Sequence, residues 1–274
     1  MNADEATDTI DAARRLQRAL YRAAKASPER RFHALYDKVA RADILERAWQ
    51  EVGANAGAAG VDGQTIKEIE RRGVAGFLAE LTSELWEGRY RPRPLRRVLI
   101  PKADGEQRPL GIPTVRDRVV QAAAKVVLEP IFEADFRDSS YGFRPKRSAH
   151  QAVEQVRQGV NRGRNWVVDA DIAAFFDRID HTVLLKRVAR RISDRRVLKL
   201  LRGWLAAGVE DGGTWGPSAD GVPQGGVISP LLANVVLHEL DVFWEDYCGQ
   251  LGQLIRYADD CAPRRRGKGT EKVA

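Results

Sequence analysis

The chain has 274 residues, 43% hydrophobic and 30% charged, with a net charge of +7 from 45 Lys and Arg against 38 Asp and Glu. That balance excludes a wholly disordered chain, and no apolar run approaches the ~18 residues that a membrane span needs. Cys248 and Cys261 are too few for a disulfide framework or a four-ligand zinc site, and the acidic, polar start lacks a secretory pattern, so the sequence points to a cytoplasmic protein without a membrane partner.

In the first ninety residues apolar side chains recur at helical spacing: Ile10, Ala13, Leu16 and Leu20, then Phe32, Leu35, Tyr36 and Val39, then Ile44, Leu45 and Ala48. Glycine-rich 53–63 reads as a loop, and Gln64–Trp86 as a helix interrupted at Gly73 and Gly76. Arg91-Pro-Arg-Pro is stiff and extended. Arg96–Ile100 predicts a strand that enters a hairpin carrying Lys102 and Arg108, and Val115–Leu128 predicts a helix that stops before Pro130. Asn165–Ile172 predicts a strand, Asp180 an N-cap for a helix from His181 to about Ile192, and Ser229–Val242 a further helix.

Positive charge is concentrated. Arg89–Arg118 carries nine basic residues against three acidic ones, and the last 14 residues carry five against one. A stripe of arginine on a folded element suits phosphate contact, although a solvated face is the commoner origin of such runs.

On the strand over 165–172, alternation puts Asp169 and Asp171 on one face and Trp166, Val168, Ala170 and Ile172 on the other. A carboxylate at the end of a buried strand needs a partner, a cap or a metal, and capping the following turn is an equally good reading of these two. Leu254–Asp260 ends in adjacent aspartates, which can face one site only if a turn begins there. Between them, Gly221–Asn234 flanks Gln224 with glycines that allow close backbone approach, and Ser229-Pro230 opens a helix. His33, His150, His181 and His238 are scattered and take no catalytic role.

In this order the three motifs resemble the palm of a reverse transcriptase, and most closely that of the group II intron reverse transcriptase and maturase family. Upstream, Asn55–Gly63 (ending GVDG), Arg97–Pro113 (VLIPK, then RPLGIP) and Ser140–His150 (SYGFRPKRSAH) are similar to that family's N-terminal loop and two fingers motifs, so the likeness runs from about residue 35 to 260. It implies an α+β right-hand polymerase fold with a helical extension over 1–88, fingers over 89–165, an incomplete palm over 166–262 and a basic, disordered tail over 263–274. It also implies RNA-directed DNA polymerisation with two Mg²⁺ held by Asp171, Asp259 and Asp260, since a hard cation prefers oxygen ligands. Asp169 is set aside because the family pattern D-I-x-x-F-F aligns its ligand with Asp171.

By the same resemblance Lys102 and Arg108 clamp the incoming triphosphate, Gln224 and Gly225 face the nascent base pair, and Phe176 blocks a ribose 2′-hydroxyl. Arg91, Arg93, Arg96, Arg97 and Arg144 are the implied nucleic-acid contacts. The implied partners are an RNA template (group II intron RNA), a DNA primer and deoxynucleoside triphosphates, with a role in intron splicing and mobility. Beyond Asp260 the family continues with an apolar return strand and a thumb, whereas Pro263, two glycines and Arg264–Arg266 argue against a buried strand. The sequence thus predicts a polymerase truncated after its catalytic hairpin, without thumb and impaired. The rival reading is a non-catalytic RNA-binding remnant that holds intron RNA through its basic fingers.

Overall fold

The computed structural model describes residues 3–101, 105, 107–163, 166–218, 220–262 and 264–265. Among them lie α1 (Ala3–Ala26), α2 (Tyr36–Val39), α3 (Ala42–Ala54), α4 (Ile66–Arg72), α5 (Val74–Trp86), β1 (Leu95–Pro101), β2 (Gln107–Ile112), α6 (Val115–Glu133), α7 (Ala149–Asn161), β3 (Trp166–Val167) and β4 (Ala170–Asp171). There follow α8 (His181–Ala189), α9 (Arg195–Leu205), β5 (Val209–Asp211), β6 (Thr214–Gly216), α10 (Ser229–Phe243), β7 (Arg256–Tyr257), β8 (Asp260–Cys261) and β9 (Arg264–Arg265). A 3₁₀ turn covers Phe176–Arg178 and a π-turn Trp244–Cys248. No described helix is long and apolar enough to cross a membrane. The chain divides into two compact units, Met1–Asp135 with Phe176–Ser229, and Phe136–Phe175 with Pro230–Ala274, each discontinuous where the sequence offered contiguous segments.

The first unit is built around α6. Val119, Ala123, Val127, Leu128 and Ile131 are fully buried on several sides of this helix, as expected of one that is core throughout, and α1 and α3 pack against it. The expected stop before Pro130 does not occur, because α6 runs on to Glu133. Proline removes one backbone donor. The Val126 carbonyl four residues earlier accepts instead from Gln17 Nε2 on α1 at 3.3 Å, and Lys25 Nζ reaches the Ala134 carbonyl at 2.9 Å.

One other expectation is corrected in this unit. Phe32–Val39 is helical only over α2; Phe32 instead pairs with the chain near Ile192, its N–H donating to the Arg191 carbonyl at 2.7 Å. The segment after α8 turns at Asp194, whose carboxylate caps α9 and also accepts from the N–H groups of Leu35 and Tyr36, both at 2.8 Å. The β1–β2 hairpin forms as predicted, in a four-stranded sheet of order β2-β1-β5-β6 whose β5–β6 half the sequence reading did not foresee.

In the second unit α7 opens with a capping box, Ser148 and Gln151 exchanging side-chain and backbone hydrogen bonds. Tyr141, Ala152 and Ile255, with Val156 packed against them, form one small hydrophobic cluster there. The strand expected over 165–172 is two short pieces, β3 and β4, separated at Val168 and Asp169. It is not buried either, Val167 and Val168 being 46% and 58% exposed. The expected loss of the return strand is overturned: β8 pairs antiparallel with both β7 and β4, and β9 pairs with β3, so the chain returns along the first strand on both sides of residue 263.

Candidate active site

The second unit brings the predicted carboxylates together. β4 and β8 are in register with Asp171 opposite Asp260, and β7 and β8 with Tyr257 opposite Asp260, so Ala258 and Asp259 form the two-residue turn of a hairpin. This is the turn that adjacent aspartates need to face one site. Ala258 carries φ +57°, a conformation that a residue with a Cβ adopts only under constraint. Burial raises the Asp260 carboxyl above the usual carboxylate range, and the neighbouring charges of Asp259, Asp171 and Asp169 raise it further. Asp169 therefore belongs to the same electrostatic cluster although it lies in the break between β3 and β4.

The turn rests on a polar core that sequence reasoning missed. Arg256 is fully buried, and its guanidinium makes a bidentate pair with Asp241 on α10, Nε to Oδ1 at 2.8 Å and Nη2 to Oδ2 at 2.6 Å. Nη1 donates to Asn234 Oδ1 at 3.0 Å and to the Ala258 carbonyl at 2.7 Å, and Nη2 also donates to Ser140 Oγ at 2.7 Å. Asn234 Nδ2 donates to the Gly142 carbonyl at 2.9 Å. Gly142 lies against the turn so closely that a Cβ there would be 2.2 Å from the Ala258 nitrogen. Cys261, buried and free, turns its Sγ to the Asp259 carbonyl at 3.7 Å, and burial pushes its thiol pKa up to about 11. The available signal was Arg256 itself, a charge set in the apolar run Leu254-Ile255, where only a paired arginine can be buried.

In the first unit the 221–226 loop brings two of the predicted nucleotide-binding residues together. Gln224 Oε1 accepts from Arg108 Nε at 2.5 Å, its Nε2 lies 3.4 Å from Asp177 Oδ1, and its carbonyl accepts from Gly111 N–H at 2.8 Å. Gly225 has φ +112° and sits where a Cβ would be 2.6 Å from the Gly111 carbonyl oxygen, so only glycine fits. Phe176 is 9% exposed, and its carbonyl accepts from Val222 N–H at 2.7 Å. Asp180 caps α8 through Val183 N–H at 2.7 Å, as predicted. Lys102 lies outside the described residues.

The five predicted nucleic-acid contacts differ in availability. Arg93 and Arg97 are largely exposed, 3.8 Å from Asp62 and 3.6 Å from Asp211 respectively. Arg91 donates to the carbonyls of Gly88 and Tyr90, and Arg96 to that of Ala59. Arg144 is placed differently. It is 7% exposed, donates to the carbonyls of Arg137 and Ser140, and stacks over Phe136, so its guanidinium belongs to the interior of the second unit.

Among the described residues no three His, Cys, Asp or Glu side chains are already grouped as a metal cage. The donor chemistry nevertheless fits a hard divalent cation: Asp171, Asp259 and Asp260 offer only oxygen, and the charges acting on Asp260 are all negative. Carboxylates so placed repel one another until a cation neutralises them.

Residues 100–263 match the family described as reverse transcriptase (RNA-dependent DNA polymerase). The chain is 43% identical over 235 residues to protein YkfC of Escherichia coli K12, covering 83% of this chain and 61% of YkfC. It is 39% identical over 217 residues to the group II intron-encoded protein LtrA of Lactococcus lactis subsp. cremoris, covering 77% of this chain and 35% of LtrA. A chain of a partial Cas6-RT-Cas1–Cas2 complex shares its fold, with a TM-score of 0.50 at 24% identity over 86% of this chain and 39% of that one. The architecture is accordingly an α+β polymerase fold of reverse transcriptase type.

Proposed function

The chain belongs to the reverse transcriptase (RNA-dependent DNA polymerase) family, and from that premise we propose that it is an RNA-directed DNA polymerase of the group II intron and maturase type, working by two-metal nucleotidyl transfer, in the cytoplasm, on group II intron RNA. The observation that carries the reading is the register of Asp171 against Asp260 beside the Ala258–Asp259 turn, which gathers like charges that only a cation would offset. Bound to Asp171, Asp259 and Asp260, two Mg²⁺ would supply activation of the primer 3′-hydroxyl and stabilisation of the leaving pyrophosphate. Residues 1–88 are then a helical extension, 89–165 fingers and 166–262 palm.

The chain's own groups would do the rest. The Arg108 guanidinium neutralises phosphate oxygens of the incoming deoxynucleotide, with Lys102 as its alignment partner. Gln224, held on three sides by Arg108, Asp177 and Gly111, presents a fixed amide, and Gly225 admits close approach of a base pair. Phe176 sets the preference for a deoxyribose. Exposed arginines such as Arg93 and Arg97 hold the RNA template and DNA primer by their phosphates. The chain spans 61% of the length of YkfC and 35% of that of LtrA.

Extension of a DNA primer annealed to RNA, with Mg²⁺ and deoxynucleotides, tests the reading. Extension products that vanish on chelation and in Asp259→Asn are expected. Salt-dependent RNA binding with no extension under any condition would favour the RNA-holding remnant instead.

A further inference from the structure

We propose that Arg256 is the positioning residue of the catalytic turn: its buried guanidinium, held by Asp241 and Asn234, fixes the backbone at Ala258 and thereby aims Asp259 and Asp260. The proposal rests on the reading of those aspartates as metal ligands.

A guanidinium has five N–H donors. In Arg256 all five are engaged: two on Asp241, one each on Asn234, Ser140 and the Ala258 carbonyl. One fork thus joins α10, the segment before α7 and the hairpin. Its backbone is engaged as well, Arg256 N–H donating to the Ser139 carbonyl and its own carbonyl accepting from Tyr141 N–H, each at 2.8 Å.

The turn needs such bracing because Ala258 is held at φ +57°, a conformation that persists only where the surroundings over-determine it. Two braces meet at that residue. Arg256 Nη1 holds its carbonyl, and the backbone of Gly142 closes on its nitrogen so tightly that no Cβ fits between them. Asn234 couples the braces, accepting from Arg256 with its oxygen and donating to the Gly142 carbonyl with its nitrogen. Arg256 makes no hydrogen bond to the carboxylates of Asp259 or Asp260, so it acts through the backbone between them and itself.

Stability alone is a weak reason for such a pair. A buried ion pair replaced by well-packed apolar residues is often neutral or more stable, whereas breaking it by removing one partner leaves an uncompensated charge. That asymmetry separates a positioning role from a merely structural one.

The test compares the wild-type chain with Arg256→Gln, the double variant Arg256→Met with Asp241→Leu, and Asn234→Ala. It reads the thermal midpoint, Mn²⁺ affinity by electron paramagnetic resonance, and kcat and nucleotide KM in single-nucleotide extension. Arg256→Gln lowers the thermal midpoint and the double variant recovers it. In both, Mn²⁺ affinity falls ~10-fold and kcat ~10–100-fold, the range seen when groups that orient metal ligands are removed. Nucleotide KM stays within ~2-fold, as expected when ground-state binding is untouched. A double variant with wild-type Mn²⁺ affinity and kcat would overturn the proposal.

Should the double variant fail to fold, Asn234→Ala decides, because it keeps the ion pair and uncouples only the two braces. Lower Mn²⁺ affinity supports positioning, and unchanged affinity overturns it. If the wild type binds Mn²⁺ but extends no primer, the polymerase reading fails while the Mn²⁺ affinities still judge Arg256. If the wild type binds no Mn²⁺ that Asp259→Asn abolishes, the positioning role is overturned.

Discussion

Asp171 on β4 and Asp260 on β8 stand directly opposite each other on adjacent antiparallel strands, a placement that opposes two negative charges. Burial raises the Asp260 carboxyl, and the charges of Asp259, then Asp171 and Asp169, raise it further. An acid whose folded value is raised destabilises the fold as pH climbs through the interval between its unfolded and folded values. Replacing Asp171 with Asn removes one of the like charges. In the absence of divalent cation the Asp171→Asn chain should melt higher than wild type, by roughly 1–3 °C for a chain of this size. It should also lack the Mg²⁺-induced rise in melting temperature expected of the wild type. A variant that melts no higher than wild type without cation would remove the repulsion argument.

Asp194 supplies a prediction with the opposite sign. Burial pushes its carboxyl up, but hydrogen bonds from the N–H groups of Leu35, Tyr36, Val197 and Arg196 outweigh it and hold the carboxyl below the ordinary value. A depressed carboxylate contributes stability that is complete above the unfolded value, near 3.9, and is lost as pH falls through the folded one. Asp194→Asn should cost about 1–3 kcal/mol at pH 7, as cap and buried acceptor are weakened together. Urea midpoints at pH 7 and pH 3 check this: the gap between the two proteins should narrow at the lower pH. An equal gap at both would show that the charge of Asp194 contributes nothing.

For the arginines, burial separates two kinds of effect. Arg93→Ala with Arg97→Ala should weaken binding to single-stranded RNA and flatten the plot of log affinity against log salt by about 0.7 for each phosphate no longer neutralised. Arg144→Ala should leave that slope unchanged and lower the melting temperature, since its guanidinium holds the carbonyls of Arg137 and Ser140. Filter binding across a salt series, with melting curves alongside, measures both. A slope unaffected by the Arg93 and Arg97 changes would take these residues out of the nucleic-acid interface.

These contrasts show where the sequence was readable. The β1–β2 hairpin, the Asp180 cap and the α10 start follow from local rules, and each forms as those rules require. The carboxylates were legible because their types and order match a family pattern. Arg144 and Arg256 were not, because an arginine reads as surface until the carbonyls and carboxylates that enclose it are known. The passage of α6 through Pro130 depends on Gln17, 109 residues from the carbonyl it satisfies, and no window along the chain contains both. The return strand was missed for a similar reason: Pro263 and the arginines after it speak against a buried strand, and β9 pairs at a sheet margin where that objection has less force.

The remaining prediction concerns Phe176, which has two roles to separate. Its ring is buried, so truncation to alanine should cost about 3–5 kcal/mol as in other cores. Its carbonyl also anchors Val222 in the loop that carries Gln224 and Gly225, and a backbone bond survives a change of side chain. A smaller apolar residue should therefore keep the loop attached while removing the bulk assigned to excluding a 2′-hydroxyl. Phe176→Val is the informative variant, keeping an apolar side chain with less loss of packing than alanine. Single-nucleotide extension with matched deoxy- and ribonucleotides should show discrimination falling at least ~10-fold, equivalent to about 1.4 kcal/mol of differential transition-state binding. Most of the change should lie in the ribonucleotide kcat/KM, because a relieved clash affects only the substrate that clashed. If the melting temperature drops and discrimination is unchanged, the ring is core packing alone and sugar choice belongs to another residue.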